Sequence, residues 1–213
     1  MMISNTDTSA PAGPVGVILA GGLARRMGGV DKGLIDIRGK PLLAHLVARL
    51  APQCAGLALN ANGDPGRFAA FRLPVVADSV TGFAGPLAGV LAGMDYCAQA
   101  HPAVETILTV PADTPFIPHD LAARLDAARN DAGARIAVAA SDGRLHHTVA
   151  LWPVSLRDDL RRALTIDDER RVSGFIARYA NVAVDWPVEP RDPFFNVNRP
   201  EDVEKGQGIA RQG

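Results

Sequence analysis

The sequence predicts an α/β fold: a three-layer α/β/α sandwich on a mostly parallel sheet with a mixed edge. Three observations carry this expectation. Short apolar runs alternate with stretches of helical periodicity along most of the chain. The first run, residues 15–20 (VGVILA), is continuously apolar and stops at Gly21-Gly22, the pattern of a strand buried on both faces that feeds a tight loop. A chain of 213 residues, 47% hydrophobic and 21% charged, supplies one substantial core and is too short for two ordinary domains.

The elements follow in order. A helix should begin near Pro41, because proline suits the first helical turn and Leu42, Leu43, Leu46, Val47 and Leu50 then recur at helical spacing. Alternation continues with a strand over 56–61, a helix over 65–71, a strand over 74–77, a helix over 86–98, a strand over 106–110 and a helix over 118–129. Such units connect through right-handed crossovers and cover both faces of the sheet. Beyond Ala134 the pattern loosens into strands over 134–140 and 148–152, a helix from Val154, another over 172–179 and a strand over 182–186. The mixed or antiparallel edge is expected there. Residues 1–14, rich in Ser, Thr, Asn, Ala and Pro, read as a disordered tail before a single domain over 15–206.

Composition excludes several classes. A net charge of -1 lacks the basic footprint of a nonspecific nucleic-acid binder, so any polyanion must be held locally. Cys54 and Cys97 form no CxxC pair and are expected to be reduced core thiols, not zinc ligands or a disulfide. No stretch approaches the roughly 20 apolar residues that span a bilayer, and the start carries no secretion signal, so a cytoplasmic protein without membrane contact is expected.

Open α/β sheets bind ligands beyond the carboxyl ends of their strands, which directs attention to the loops after Ala20, Ala61, Ala77 and Val110. The first is Leu19-Ala20-Gly21-Gly22-Leu23-Ala24-Arg25-Arg26-Met27-Gly28-Gly29-Val30-Asp31-Lys32. Unobstructed backbone amides and cations at that place form an anion-binding loop; the alternative is a solvated glycine loop. It is neither a GxxxxGK[ST] loop nor a GxGxxG fingerprint.

Taken together, the LAGG, RRMGG and VDKG pieces of that loop resemble the molybdenum cofactor guanylyltransferases, the MobA proteins. The resemblance continues in order through Asn60-Ala61-Asn62, Asp78-Ser79, Gly85-Pro86-Leu87-Ala88-Gly89, Pro111-Ala112-Asp113-Thr114-Pro115, Glu169-Arg170-Arg171-Val172 and Asn196-Val197-Asn198, spanning residues 15–203. It implies a Rossmann-like nucleotidyltransferase that moves GMP from GTP to the phosphate of molybdenum-molybdopterin and releases pyrophosphate, with Mg2+ as cofactor. The N-terminal half would bind GTP and the C-terminal half the pterin. Cofactor exchange with a molybdenum-inserting enzyme and with molybdoenzymes or their chaperones is also implied.

Site residues follow from the matching positions. Arg25, Lys32 and Asp113 would be catalytic, the two cations facing the triphosphate and Asp113 holding the metal beside phosphate oxygens. The competing role for Asp113 is a turn or helix cap. Leu19, Ala20, Gly21, Gly22, Asn60, Asp78, Gly85, Pro86 and Leu87 would complete the GTP site, and Asn196, Asn198, Arg170 and His147 would line the pterin side. Arg26 has a solvated surface role as its equal alternative, and His45, His101 and His119 are expected to be packing or surface residues. No dedicated base is required, because a phosphate monoester with a second pKa of about 6 is already ionised at neutral pH. A CTP-dependent cytidylyltransferase and a noncatalytic nucleotide-binding module are the alternative functions.

Overall fold

The computed structural model describes residues 13–21, 32–37, 39–80, 82, 85–197 and 202. Strand β1 (Val15–Leu19) lies inside a seven-stranded sheet of order β5-β4-β1-β6-β8-β7-β9. Its parallel neighbours are β4 (Gly56–Asn60) and β6 (Thr106–Pro111), with Leu19 opposite Asn60 on one side and Pro111 on the other. Strand β5 (Val75–Val76) extends the parallel half. A two-stranded antiparallel flap, β2 (Asp36–Ile37) and β3 (Lys40–Pro41), was not foreseen from sequence; its strands are too short to show a period.

Alternation of side chains along β1 assigns the two cores. Val15 and Val17 point to one face, toward α2 (Pro86–Ala100), α4 (Arg157–Thr165) and α5 (Val172–Ile176). Ile18 points to the other, toward α1 (Leu42–Leu50) and α3 (Leu121–Asp131). The expected three layers are present, with helices on both faces of the sheet. Cys54 and Cys97 are free thiols, and burial pushes them up to about 12 and about 11, so neither supplies a thiolate at neutral pH.

Several boundaries differ from expectation for local reasons. The segment Pro65–Phe71 is a 3-10 helix, entered through an Asp64 side chain that accepts from Gly66 N and ended by Arg72 in the left-handed region. Helix α3 starts at Leu121 and not at Pro118, because Gln53 holds this end: its amide donates to Pro118 O and its carbonyl accepts from Ala122 N. Helix α5 is short and stops at Ile176, before the expected end at 179.

The sheet is mostly parallel, yet its antiparallel strand is interior. Strand β7 (Ile136–Ser141) and β8 (Arg144–Pro153) form a hairpin whose two-residue turn is Asp142-Gly143, at φ 47° and 69°. That is the geometry which favours Asp-Gly, so the dipeptide was the available signal for a longer β8 than residues 148–152. Strand β8 then inserts between β6 and β7, and β9 (Asn181–Trp186) closes the edge parallel to β7.

Helix α2 crosses β1 closely through Gly89 and Gly93. A Cβ at Gly93 would lie 2.6 Å from Val17 Cγ2, inside a core with no exposed atom to yield. Helical propensity favours removing a glycine by about 1 kcal/mol, less for a β-branched residue, whereas overpacking costs about 1–3 kcal/mol. Gly93→Val is therefore expected to lower stability, read as a reduced urea midpoint.

Candidate functional site

Order β5-β4-β1-β6 means that the chain leaves β1 toward one side and returns on the other, so the carboxyl ends of β1 and β6 border a topological switch point. The ladder continues just past the strands: Ala20 N donates to Asn60 O at 2.9 Å and Ala112 N to Leu19 O at 3.0 Å. Leu19, Ala20 and Gly21 thus emerge between the loops carrying Asn60 and Asp113. Gly22, Arg25 and Arg26 lie outside the described residues.

Lys32 opens a 3-10 turn, Lys32–Leu34, and its Nζ lies 3.0 Å from Asp113 Oδ2 across the switch point. Side-chain exposures of 31% and 17% leave the pair reachable by a ligand. The Asp113 carboxylate therefore bonds to a distant cation and not to the following backbone as a cap would. The loop itself is braced: Thr114 N donates to Pro111 O at 3.1 Å, and Val197 N to Asp113 O at 2.9 Å.

Asn196 joins the same loop, accepting at Oδ1 from Thr114 Oγ1 at 2.7 Å. A residue expected on the pterin side is thus one hydrogen bond from the loop of the expected metal ligand, although 82 positions separate Asn196 from Thr114. Val197 is buried with Ile37, Leu42 and Phe116, which anchors this segment beneath the flap. Asn198 lies outside the described residues.

Asn60 is almost fully buried, and its amide donates to Val76 O at 3.2 Å and Asp78 Oδ1 at 3.0 Å. Asp78 stands on the loop after β5, two strands from β1. Asn60 and Asp113 stand at the ends of strands two places apart in the sheet, on either side of β1, about 10 Å at ~4.8 Å per strand. Gly85 and Pro86 start the 15-residue α2, with Leu87 buried in the core beneath. The N-terminal end of such a helix carries unpaired N–H groups that favour an anion.

Arg170 lies beside the start of α2. Its backbone carbonyl lies 3.8 Å from where a Cβ on Gly85 would stand, and its Nε donates to Asp168 Oδ1 at 2.9 Å. Glu169 accepts from Arg171 N at 3.0 Å, and this hydrogen bond, with the neighbouring Arg171 and Arg178, holds its carboxyl below the usual range. His147 sits in an irregularity of β8: Val138 pairs with Ala150 and Ala139 with His146, so 147–149 bulge near the end of β6.

His146, unlike His147, is buried and structural. Its Nε2 is 2.7 Å from Ser141 Oγ, and Ser141 Oγ donates to Asp192 Oδ1 at 3.1 Å. With the hydroxyl proton committed to Asp192, the Nε2–H tautomer donates to Ser141, the reverse of a base activating a serine. His45 and His119 likewise have packing roles, near Ile37 O and Arg49 respectively, and His101 packs edge-on against Tyr96.

A carboxylate, a lysine and a buried amide are gathered at the carboxyl ends of parallel strands around a switch point, the place where open α/β sheets bind their ligands. The chain belongs to the MobA-like NTP transferase domain family, whose model matches residues 16–182. Molybdenum cofactor guanylyltransferase of Rhodopseudomonas palustris strain HaA2 is 57% identical over 209 residues, covering 98% of each chain. The protein of the same description from strain BisB5 is 61% identical over 200 residues, 94% of this chain and 95% of that one. Among solved structures, molybdopterin-guanine dinucleotide biosynthesis protein A of Archaeoglobus fulgidus superposes with a TM-score of 0.71 at 20% identity, covering 93% of this chain and 100% of that one.

Sequence reasoning missed the supporting residues Asn62, Thr114, Asp95 and Asp192. Asn62, two positions from Asn60, and Thr114, next to Asp113, stand inside the motifs quoted from the sequence, though no role was given them there. The others act across large separations.

Burial pushes the His146 imidazole below its ordinary value of 6.5; Asp192 opposes this, while Arg144 and His147 add to it. The unfolded chain therefore binds the proton more readily, and stability contributed by neutral His146 is lost as pH falls from about 6.5 through the folded value. Urea midpoints between about pH 7 and pH 5 should decline, and His146→Asn should flatten that slope; an unchanged slope would assign it to other groups.

Proposed function

We propose that this protein transfers GMP from GTP to the phosphate of molybdenum-molybdopterin, forming the guanine dinucleotide form of the cofactor and pyrophosphate. The observation that carries this reading is the double attachment of the Asp113 loop, to Lys32 on one side and to Asn196 on the other. Full-length similarity to guanylyltransferases of the two Rhodopseudomonas strains supports the substrate pair.

In this reading an oxygen of the acceptor phosphate attacks the α-phosphorus of GTP. The new P–O bond forms as the α–β bridging P–O bond breaks, and the electron pair leaves on pyrophosphate. The attacking group is already an anion, so the site's work is to align two anions and absorb charge on the leaving group. Lys32, and with it Arg25, would face the triphosphate.

Family chemistry uses a divalent cation, and we assign Mg2+, held by Asp113. A hard cation taken up by one or two carboxylates together with substrate phosphates fits this donor set. Among the described residues no three His, Cys, Asp or Glu side chains cluster as a metal cage; in this scheme substrate phosphates and water would complete the coordination. The bound ion would stabilise negative charge on the phosphoryl oxygens.

Leu19, Ala20, Gly21, Gly22, Asn60, Asp78 and Gly85 to Leu87 are assigned to GTP, and Asn196, Asn198 and His147 to the pterin. Arg170 is assigned to the pterin side as well, with its backbone carbonyl near Gly85 at the start of α2. One domain over 15–206 would hold both halves. No described helix is long and apolar enough to cross a membrane; a cytoplasmic location and exchange with a molybdenum-inserting enzyme and molybdoenzymes or their chaperones complete the proposal.

The direct test is pyrophosphate release with Mg2+, molybdenum-loaded molybdopterin and either GTP or CTP. Release with GTP alone is expected. Turnover confined to CTP would make this the cytidylyltransferase, and GTP binding without release a binding module. Asp113→Ala should lower kcat by roughly 100-fold or more while the fold is retained. Asn196→Ala should raise KM for the pterin substrate more than for GTP, as initial rates at varied concentration of each would show.

A further inference from the structure

Asp78, a half-buried carboxylate on the loop after β5, is held by several side chains. Asn62 Nδ2 donates to its Oδ2 at 2.7 Å, and in return Asp78 N donates to Asn62 Oδ1 at 2.9 Å. Asn60 Nδ2 takes the other carboxylate oxygen at 3.0 Å. The next residue is fixed as well: Ser79 Oγ donates to Asp95 Oδ2 at 2.6 Å, and Arg161 NH2 reaches both oxygens of Asp95, at 2.7 and 2.9 Å. The Asn62 backbone is steadied too, its main-chain carbonyl accepting from Arg67 NH2 at 2.6 Å.

Stability does not account for this arrangement. The bonds of Asn62 are exposed, where water would serve both partners and the net gain from each is small. What the arrangement does is fix orientation. A carboxylate oxygen accepts along two lone pairs, so Asp78 keeps one free direction on each oxygen after its two amide donors are placed. An acceptor set in advance toward two neighbouring donors suits the hydroxyls or ring N–H groups of a nucleoside, and it binds without first ordering the loop.

We propose that Asn62 is a positioning residue of the nucleotide subsite, acting on GTP through Asp78. This rests on the assignment of Asp78 to the nucleotide made above. Asn62 touches no ligand in this scheme; its removal leaves the Asp78 carboxylate in place, held by Asn60 alone and free to turn.

The experiment is a double-mutant cycle between Asn62→Ala and Asp78→Ala, with Kd for GTP from calorimetry, KM and kcat from pyrophosphate release, and the thermal midpoint of each variant. Asn62→Ala should raise Kd and KM for GTP about tenfold, the equivalent of one hydrogen bond, with kcat within about twofold and the midpoint nearly unchanged. Asn62→Asp should be worse, since it sets a second carboxylate against Asp78. On the Asp78→Ala background, Asn62→Ala should change Kd by less than about twofold. An unchanged Kd in Asn62→Ala while Asp78→Ala weakens GTP binding would overturn the role of Asn62 alone. Persistence of its full effect on the Asp78→Ala background would also overturn it. If Asp78→Ala leaves Kd for GTP unaltered, the nucleotide assignment of Asp78 fails and this proposal falls with it.

Discussion

Strand β1 is paired on both edges and covered on both faces, so all of its backbone and side-chain demands must be met by other parts of the chain. β4 and β6 satisfy its N–H and C=O groups, α2 covers Val15 and Val17, and α1 with α3 covers Ile18. Leaving any of those backbone groups unpaired in the interior would cost about 1–3 kcal/mol each. Because the requirement is met by strands that approach from opposite directions in the sheet order, the end of β1 is also the switch point. The ligand crevice is a by-product of how the central strand is satisfied.

What the crevice can do depends on charges brought to it without burial deep enough to demand neutralisation. Lys32 and Asp113 are partly exposed and paired across the gap. The ion pair holds the two side chains near one another while leaving both open to solvent. A fully buried pair would resist separation more strongly, since each ion would then have to be uncovered without compensation.

The second half of the chain serves the same place from the other side. β8 runs antiparallel in the middle of the sheet, so its irregular stretch at 147–149 falls near the carboxyl end of β6. The Asp192–Val197 segment then returns under the flap, held by Ser141 at one end and by the Asp113 loop at the other. Two regions far apart in sequence thus meet beside the carboxyl ends of β1 and β6.

The sequence by itself determined what is local: the continuous apolar run of β1, the helical spacing after Pro41, the glycine and cation loop, and the ordered motifs that singled out Lys32, Asn60, Asp78, Asp113 and Asn196. Periodicity and turn chemistry act within a few residues, so they survive in the linear text. Only the tertiary structure decided that β8 inserts beside β6, that Arg170 borders Gly85, that His146 is a buried donor to Ser141, and that Asn62 and Asp95 brace the Asp78 loop. Those outcomes depend on pairings across tens of residues, where many partners of the same chemical type compete and packing of the whole core selects among them.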